Sequence, residues 1–303
     1  MNFGKVENLN RVDVPILFLI FNRVEQTRIV FEEIRKHQPK KLFIAADGPR
    51  ETVKGESLQC SLTKDVVLNG IDWDCEVMTL FRDTNLGCGK AVSSAIDWFF
   101  DHVEEGIILE DDCLPDSSFF TFCRELLDKY RDNEEVMHLS ASNFQQGINR
   151  GDGSYYFSRL AHIWGWATWR RAWKKYDFTL NRYYHNHSTI DLHPRFRSLV
   201  KQVQNGSLDT WDVQWTMSVW WSNGFAITPK TNLVKNIGYG DKNATHTKAS
   251  PPKWVRRMQH GCIDNIVHPK EIQIDKEADD FTLRTVYYES LIKKITKKVL
   301  GRD

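Results

Sequence analysis

The chain has 303 residues, 41% hydrophobic and 12% aromatic, a composition that excludes intrinsic disorder and suits one large or two modest domains. Its 41 Lys and Arg against 40 Asp and Glu leave a net charge of +1, so no global field argues for a nucleic-acid partner. No run approaches the roughly 18 apolar residues of a membrane span, and the polar start MNFGKVENLNRVD lacks the apolar region of a signal peptide, so a cytoplasmic protein is expected.

VPILFLIF (14–21) is a continuous apolar run and reads as a buried strand. VEQTRIVFEEIRKH (24–37) reads as a helix, with Ile29, Val30, Phe31 and Ile34 near one face. KLFIAAD (41–47) and CEVMTLF (75–81) are further strands, GKAVSSAIDWFFDHV (89–103) is a helix, and GIILE (106–110) is a fourth strand. DSSFFTFCRELLDKY (116–130) is a helix with Asp116 as its N-cap, and VMHLSAS (136–142) is another strand. This alternation predicts an α/β fold with a mostly parallel sheet flanked by helices. Ligands of such sheets bind beyond the carboxyl ends of the strands. Asn22, Asp47, Arg82 and the acids 110–112 all fall there.

Beyond about residue 150 the alternation breaks, and eight of the 11 Trp lie between Trp164 and Trp221. The expected organisation is one domain over 1–285, with a nucleotide-type half (14–143) and an irregular, Trp-rich acceptor half (144–285). In the tail 286–303, Leu291, Ile292, Ile295, Val299 and Leu300 oppose Lys293, Lys294, Lys297, Lys298 and Arg302. Such a basic amphipathic helix either lies on an anionic membrane through residues 291–302 or docks on its own domain. Six scattered cysteines form no C-x-x-C pair, which points to reduced thiols.

An apolar strand running straight into Glu110, Asp111 and Asp112 needs a counter-charge, because like charges repel and buried carboxylates are costly unpaired. Carboxylate oxygens at a strand end suit Mg²⁺ or Mn²⁺, metals that commonly bridge to phosphate. The bland alternative is a set of acids favoured near the following helix N-terminus. RDTNLGCGK (82–90) is Gly-rich before a helix, so its backbone is a candidate to face phosphates, although it is not a P-loop.

EDDCLPDSSFF (110–120) resembles the acidic segment of the inverting GT-A N-acetylglucosaminyltransferases that begin complex N-glycan branching. FNR (21–23), AADGPR (45–50) and NIGYGDKNATHT (236–247) resemble later and earlier segments of that family in the same order, over roughly residues 14–250. The chain also resembles bacterial GT-A proteins of polysaccharide loci. The resemblance implies a GT-A fold and a metal-dependent transfer of sugar from a UDP-sugar, N-acetylglucosamine being the best single guess. The acceptor would be a hydroxyl of a surface glycan or lipid-linked oligosaccharide, which would suit a peripheral position on the inner membrane face.

The same resemblance implies individual roles. Asp112 ligates the metal, and Asp111 and Glu110 hold donor ribose, sugar or metal-bound water. Asp47 accepts from the uracil imide, with Asn22 and Arg23 bordering the nucleotide. His246 completes the metal site or touches the diphosphate. An inverting transfer needs a general base. The family's pair of acids after a Trp is here reduced to Trp211-Asp212-Val213, so Asp212 is the candidate, with Asp209 as an alternative base or as the helix N-cap. Gly165 and Trp166 are candidates for the wall around donor sugar and acceptor, whereas Trp169 and Trp173, at i and i+4, read as core. His185 and His187 read as loop residues. Two other readings stay open: a sugar nucleotidyltransferase, and a carbohydrate-binding protein on an inactive scaffold.

Overall fold

The computed structural model describes residues 13–182, 193–240 and 250–287. His246, His185, His187 and the basic tail beyond Tyr287 lie outside the described residues. Four strands and three helices alternate at the start of the described chain: β1 (Ile16–Ile20), α1 (Val24–His37), β2 (Lys41–Ala46), α2 (Glu56–Leu68), β3 (Glu76–Phe81), α3 (Cys88–His102) and β4 (Glu105–Glu110). There follow β5 (Cys113–Pro115), α4 (Ser117–Lys129), β6 (Val136–Ser140), β7 (Tyr155–Ser158), β8 (Trp166–Trp169) and α5 (Arg170–Trp173). The last described elements are α6 (Pro194–Gln204), α7 (Asp212–Trp221), β9 (Phe225–Pro229), β10 (Val234–Asn236), α8 (Lys253–Arg256) and α9 (Lys276–Thr285).

Eight strands form one sheet in the order β3-β2-β1-β4-β8-β6-β9-β7. β1, β2, β3 and β4 are mutually parallel, β8 runs against β4 and β6, and β7 runs against β9. β1 shows why its sequence is apolar without interruption. Ile16, Phe18 and Ile20 enter the core shared with α1 and α4, while Leu17 and Leu19 enter the core shared with α3 and α7. Side chains alternate across a strand, so a sheet covered on both faces needs apolar residues at every position.

The two helices that the sequence reading handled least well have physical explanations. In α1 the buried stripe is Thr27, Val30, Phe31, Ile34 and His37, and Ile29 faces out at 46% exposure, against expectation. Helix α2 was not expected at all: its buried positions are Glu56, Cys60, Thr63 and Val67, while Leu58 and Leu62 face outward. A stripe half polar, with leucines on the outside, carries almost no 3.6-residue signal.

The Trp-rich second half also contributes strands to the sheet. β7, β8 and β9 come from it and extend the same sheet. They are four or five residues long and nearly fully buried, so neither length nor alternation marks them. Trp169 closes β8 rather than sharing a helix with Trp173, but both are buried, as the core reading requires. Among the described residues no helix is long and apolar enough to cross a membrane.

A carboxylate-lined cleft at the strand ends as candidate site

The strand order reverses direction between β1 and β4, and the crevice beyond their carboxyl ends is where open α/β sheets bind ligands. A cavity of about 240 Å³ opens there. Leu19, Ala45, Ala91, Val92 and Ala95 make its apolar part, and Arg23, Asp47, Arg82, Asn85, Glu110, Asp111 and Asp209 bring charge and hydrogen bonding. Small side chains on α3, Ala91 and Ala95, line the slot beside the β1 and β2 ends.

Asp47 closes one end. Its carboxylate accepts from the backbone N–H of Gly48 at 3.0 Å, Leu86 at 3.0 Å and Gly87 at 3.2 Å, so it organises the loop that leads into α3. That loop runs tight against Gly48: a Cβ on Gly48 would lie 2.4 Å from the Thr84 carbonyl carbon. Asn85 locks the approach by donating to the Gly48 carbonyl at 2.8 Å. Burial raises the Asp47 pKa, against the lowering effect of those amides and of Arg82. Arg82 reaches Ser94 Oγ at 2.8 Å and lines the same cleft.

The loop before α3 does not present free amides to a phosphate. Asp209 takes them: its carboxylate accepts from Cys88 N–H and Gly89 N–H, both at 2.8 Å. Asp209 therefore caps α3 from a distant segment and does not cap the helix that follows it, α7, whose N-cap is Trp211. Asp209→Ala is expected to cost about 1 kcal/mol, the usual worth of an N-cap. Urea unfolding checks this, and Asp209→Asn should recover most of the loss.

The opening problem of Glu110, Asp111 and Asp112 has a direct answer within the chain. The Arg23 guanidinium lies 2.6 Å from Asp112 Oδ2 and 3.3 Å from Asp111 Oδ1, with all three side chains largely buried. Asp111 also accepts from the Phe21 N–H at 3.3 Å. Arg23 is thus held by the carboxylates rather than offered to a phosphate. Burial, then Asp112 and Asp111, push Glu110 up to about 8, because one guanidinium does not balance three acids. β5 and β10 hold this turn in place, with Ile237 N–H donating to the Asp112 carbonyl at 2.8 Å. Gly238 packs so closely that a Cβ would lie 2.3 Å from Asp112 Oδ2.

Asn22 is not in the cleft. It is 3% exposed and donates to Glu56 Oε1 at 2.8 Å, tying α2 to the end of β1. Glu56 in turn holds Arg50, whose guanidinium lies 5.6 Å over the Phe21 ring and lines the cleft. The sequence reading missed Arg50, Glu56 and Asn85: Arg50 pairs locally with Glu56, but the links from Glu56 to Asn22 and from Asn85 to Gly48 join separate loops that only the fold brings together. Gly165 and Trp166 are likewise elsewhere: Trp166 is fully buried, stacked on Trp211 at 5.5 Å, and a Cβ on Gly165 would strike Val234 at 2.6 Å. Both are core, and the expected sugar wall is not made by them.

Asp212 opens α7 at the far side of the cluster. It accepts from its neighbour Val213 N–H at 2.9 Å and from the Thr210 hydroxyl, both through Oδ1. Among the described residues its Oδ2 accepts no hydrogen bond, and Asp212 is close enough to raise the Glu110 pKa.

Three carboxylates are the right donor chemistry for Mg²⁺ or Mn²⁺. No group of three or more His, Cys, Asp or Glu is preassembled as a cation site among the described residues. Arg23 pairs with both Asp111 and Asp112 at this turn.

No protein-family model and no curated protein sequence matches the chain. Among solved structures it is similar to a cytidylyltransferase from Leptospira borgpetersenii serovar Hardjo-bovis (14% identity, 65% of this chain and 73% of that one, TM-score 0.35). It is also similar to mouse xyloside xylosyltransferase 1 (10% identity, 69% and 81%, TM-score 0.37). A third is a UDP-glucose pyrophosphorylase complexed with UDP-glucose (9% identity, 71% and 90%, TM-score 0.37). On its own strand order, the chain is an α/β protein with a Rossmann-like, mostly parallel mixed sheet flanked by helices.

Proposed function

We propose that the protein is an inverting glycosyltransferase that moves a sugar, with N-acetylglucosamine the leading candidate, from a UDP-sugar to a hydroxyl of a surface glycan or lipid-linked oligosaccharide. The observation that supports it is the sequence of groups along one sheet edge: an apolar slot closed by Asp47, then Glu110, Asp111 and Asp112, then Asp212. The slot takes the uracil ring. Asp47 orders its end and faces the imide N–H, and Arg82 and Asn85 flank it. Glu110 and Asp111 meet the ribose and donor sugar.

Asp212 is the general base: its open carboxylate oxygen takes the proton of the acceptor hydroxyl as the acceptor oxygen attacks the anomeric carbon from the side opposite UDP, whose bond to that carbon breaks. A Mg²⁺ or Mn²⁺ ion held by Asp112, with His246 as a further ligand, would neutralise the departing diphosphate as a Lewis acid. With Asp112 holding such an ion, Arg23 would be available to pair with phosphate oxygens. A nucleotidyltransferase reading is less well supported, because Phe21-Asn22-Arg23 leads straight into α1 without a Gly-rich phosphate loop.

Calorimetric titration of UDP, with and without Mn²⁺, tests the reading on the wild type and on Asp112→Ala. Binding that needs both the metal and Asp112 is the expected result. Equal binding of CTP and of UDP without metal would favour nucleotidyl transfer instead.

A further inference from the structure

A second cavity, of about 220 Å³, shares no lining residue with the first. Its large side chains are aromatic, Phe144, Trp164, Phe196, Trp254 and Tyr287, and Asp212, Thr216 and His162 are its polar members. Trp164 and Trp254 are stacked at 5.7 Å with 16° between their planes, and both remain partly exposed. Phe144 braces the pair edge-on, 4.9 Å from Trp254 and 5.6 Å from Trp164. His162, 3% exposed, stacks near Phe144 and has a buried Nδ1 with no hydrogen-bond partner. An unpartnered buried nitrogen costs free energy unless something fills its valence. Tyr239 links this cavity to the acids, lying 6.0 Å from Trp164 and within the field of Asp112.

We infer that this cavity is the acceptor subsite and that its occupant is a single pyranose ring. The inference rests on the glycosyl-transfer reading for its direction, because Asp212 belongs to the cavity and also borders Glu110. Three observations select a sugar ring. Indole faces carry negative charge density, which attracts the weakly positive C–H face of a pyranose. The polar groups that can meet a hydroxyl are few: Asp212 accepts and Thr216 donates or accepts. The volume is below the roughly 300–1,000 Å³ of pockets that enclose drug-sized ligands, so one ring enters and the rest of a glycan stays outside. A peptide hydroxyl would leave the indole faces unused, and a lipid chain would cover the open carboxylate oxygen of Asp212 without a partner.

Saturation-transfer NMR with the methyl glycosides of glucose, galactose, mannose and N-acetylglucosamine tests this on the full chain. At least one glycoside should be saturated, most strongly along the C–H groups of one ring face. Trp254→Ala, a change on the short outer helix α8, should weaken that signal about tenfold, in line with the loss of one aromatic contact. Trp254→Phe should restore most of it, and neither variant should alter UDP titration. No saturation of any glycoside by the wild type, or saturation unchanged by Trp254→Ala, overturns the proposal. Glycoside binding in a protein that does not bind UDP would leave this subsite standing and remove the donor assignment instead.

Discussion

Arg23→Met is expected to lower the unfolding free energy by about 3 kcal/mol at neutral pH, and millimolar Mn²⁺ is expected to return most of it. Arg23 is the cation between Asp111 and Asp112, and its side chain is only 14% exposed. Removing one member of a buried pair leaves the partners charged and desolvated, which is worse than never having made the pair. Glu110, pushed up to about 8 by burial and then by Asp112 and Asp111, is largely protonated at neutral pH, so the uncompensated charge is that of Asp111 and Asp112. Methionine keeps most of the aliphatic stem, so the loss reads out charge and not packing. A divalent cation that binds the freed carboxylates stabilises the folded chain in proportion to its concentration over Kd. Urea unfolding of both proteins with and without Mn²⁺ measures this. A variant as stable as wild type would show that the ion pair is not what balances the cluster. Destabilisation without Mn²⁺ rescue would show that these carboxylates do not make a cation site.

The second large effect is acid sensitivity from His138. It is fully buried between β6 neighbours and α7. Trp215 Nε1–H donates to its Nδ1 at 3.0 Å, so Nε2 carries the proton and donates to the His162 carbonyl at 3.0 Å. Both nitrogens are satisfied only in the neutral ring. Burial lowers the His138 pKa from 6.5 to about 4, and burial together with His138 lowers His162 to about 3. Between these values and 6.5 the unfolded chain binds protons that the folded chain refuses. Stability is therefore full above about pH 6.5 and falls as the pH drops toward 4, by about 3 kcal/mol for His138. His138→Gln separates this from the carboxylates. A glutamine can accept from Trp215 and donate to the His162 carbonyl without titrating. Urea midpoints at pH 7 and pH 4.5 should lie closer together in His138→Gln than in the wild type. An unchanged gap would mean that His138 does not resist protonation.

Much of the fold could be read from residue order. Val24–His37, Ser117–Lys129 with its Asp116 cap, and the first four strands carry clear periodicity or uninterrupted apolar runs. What stayed hidden lacked local signal. α2 buries Thr63 and Glu56 and exposes Leu58, so only its packing on α1 defines it. β8 and β9 are short and covered on both faces, and their partners lie dozens of residues away in sequence.

The candidate site divides along the same line. The strand-end positions of Asp47, Arg82 and Glu110–Asp112 follow from the sequence, because a parallel strand delivers the next residues to one sheet edge whatever else the chain does. Which of those groups are already engaged does not follow. That Arg23 neutralises Asp111 and Asp112, that Asn22 turns away to Glu56, and that Asp209 occupies the amides of α3 are contacts between residues 34 to 121 positions apart. The sequence alone determined the α/β alternation and the acidic strand end, because those depend on local periodicity and strand direction. Only the tertiary structure decided the pairing of the charges and the placement of the tryptophans. Trp166 went to the core and Trp164 to a cavity wall because their neighbours come from β6, α7 and α8.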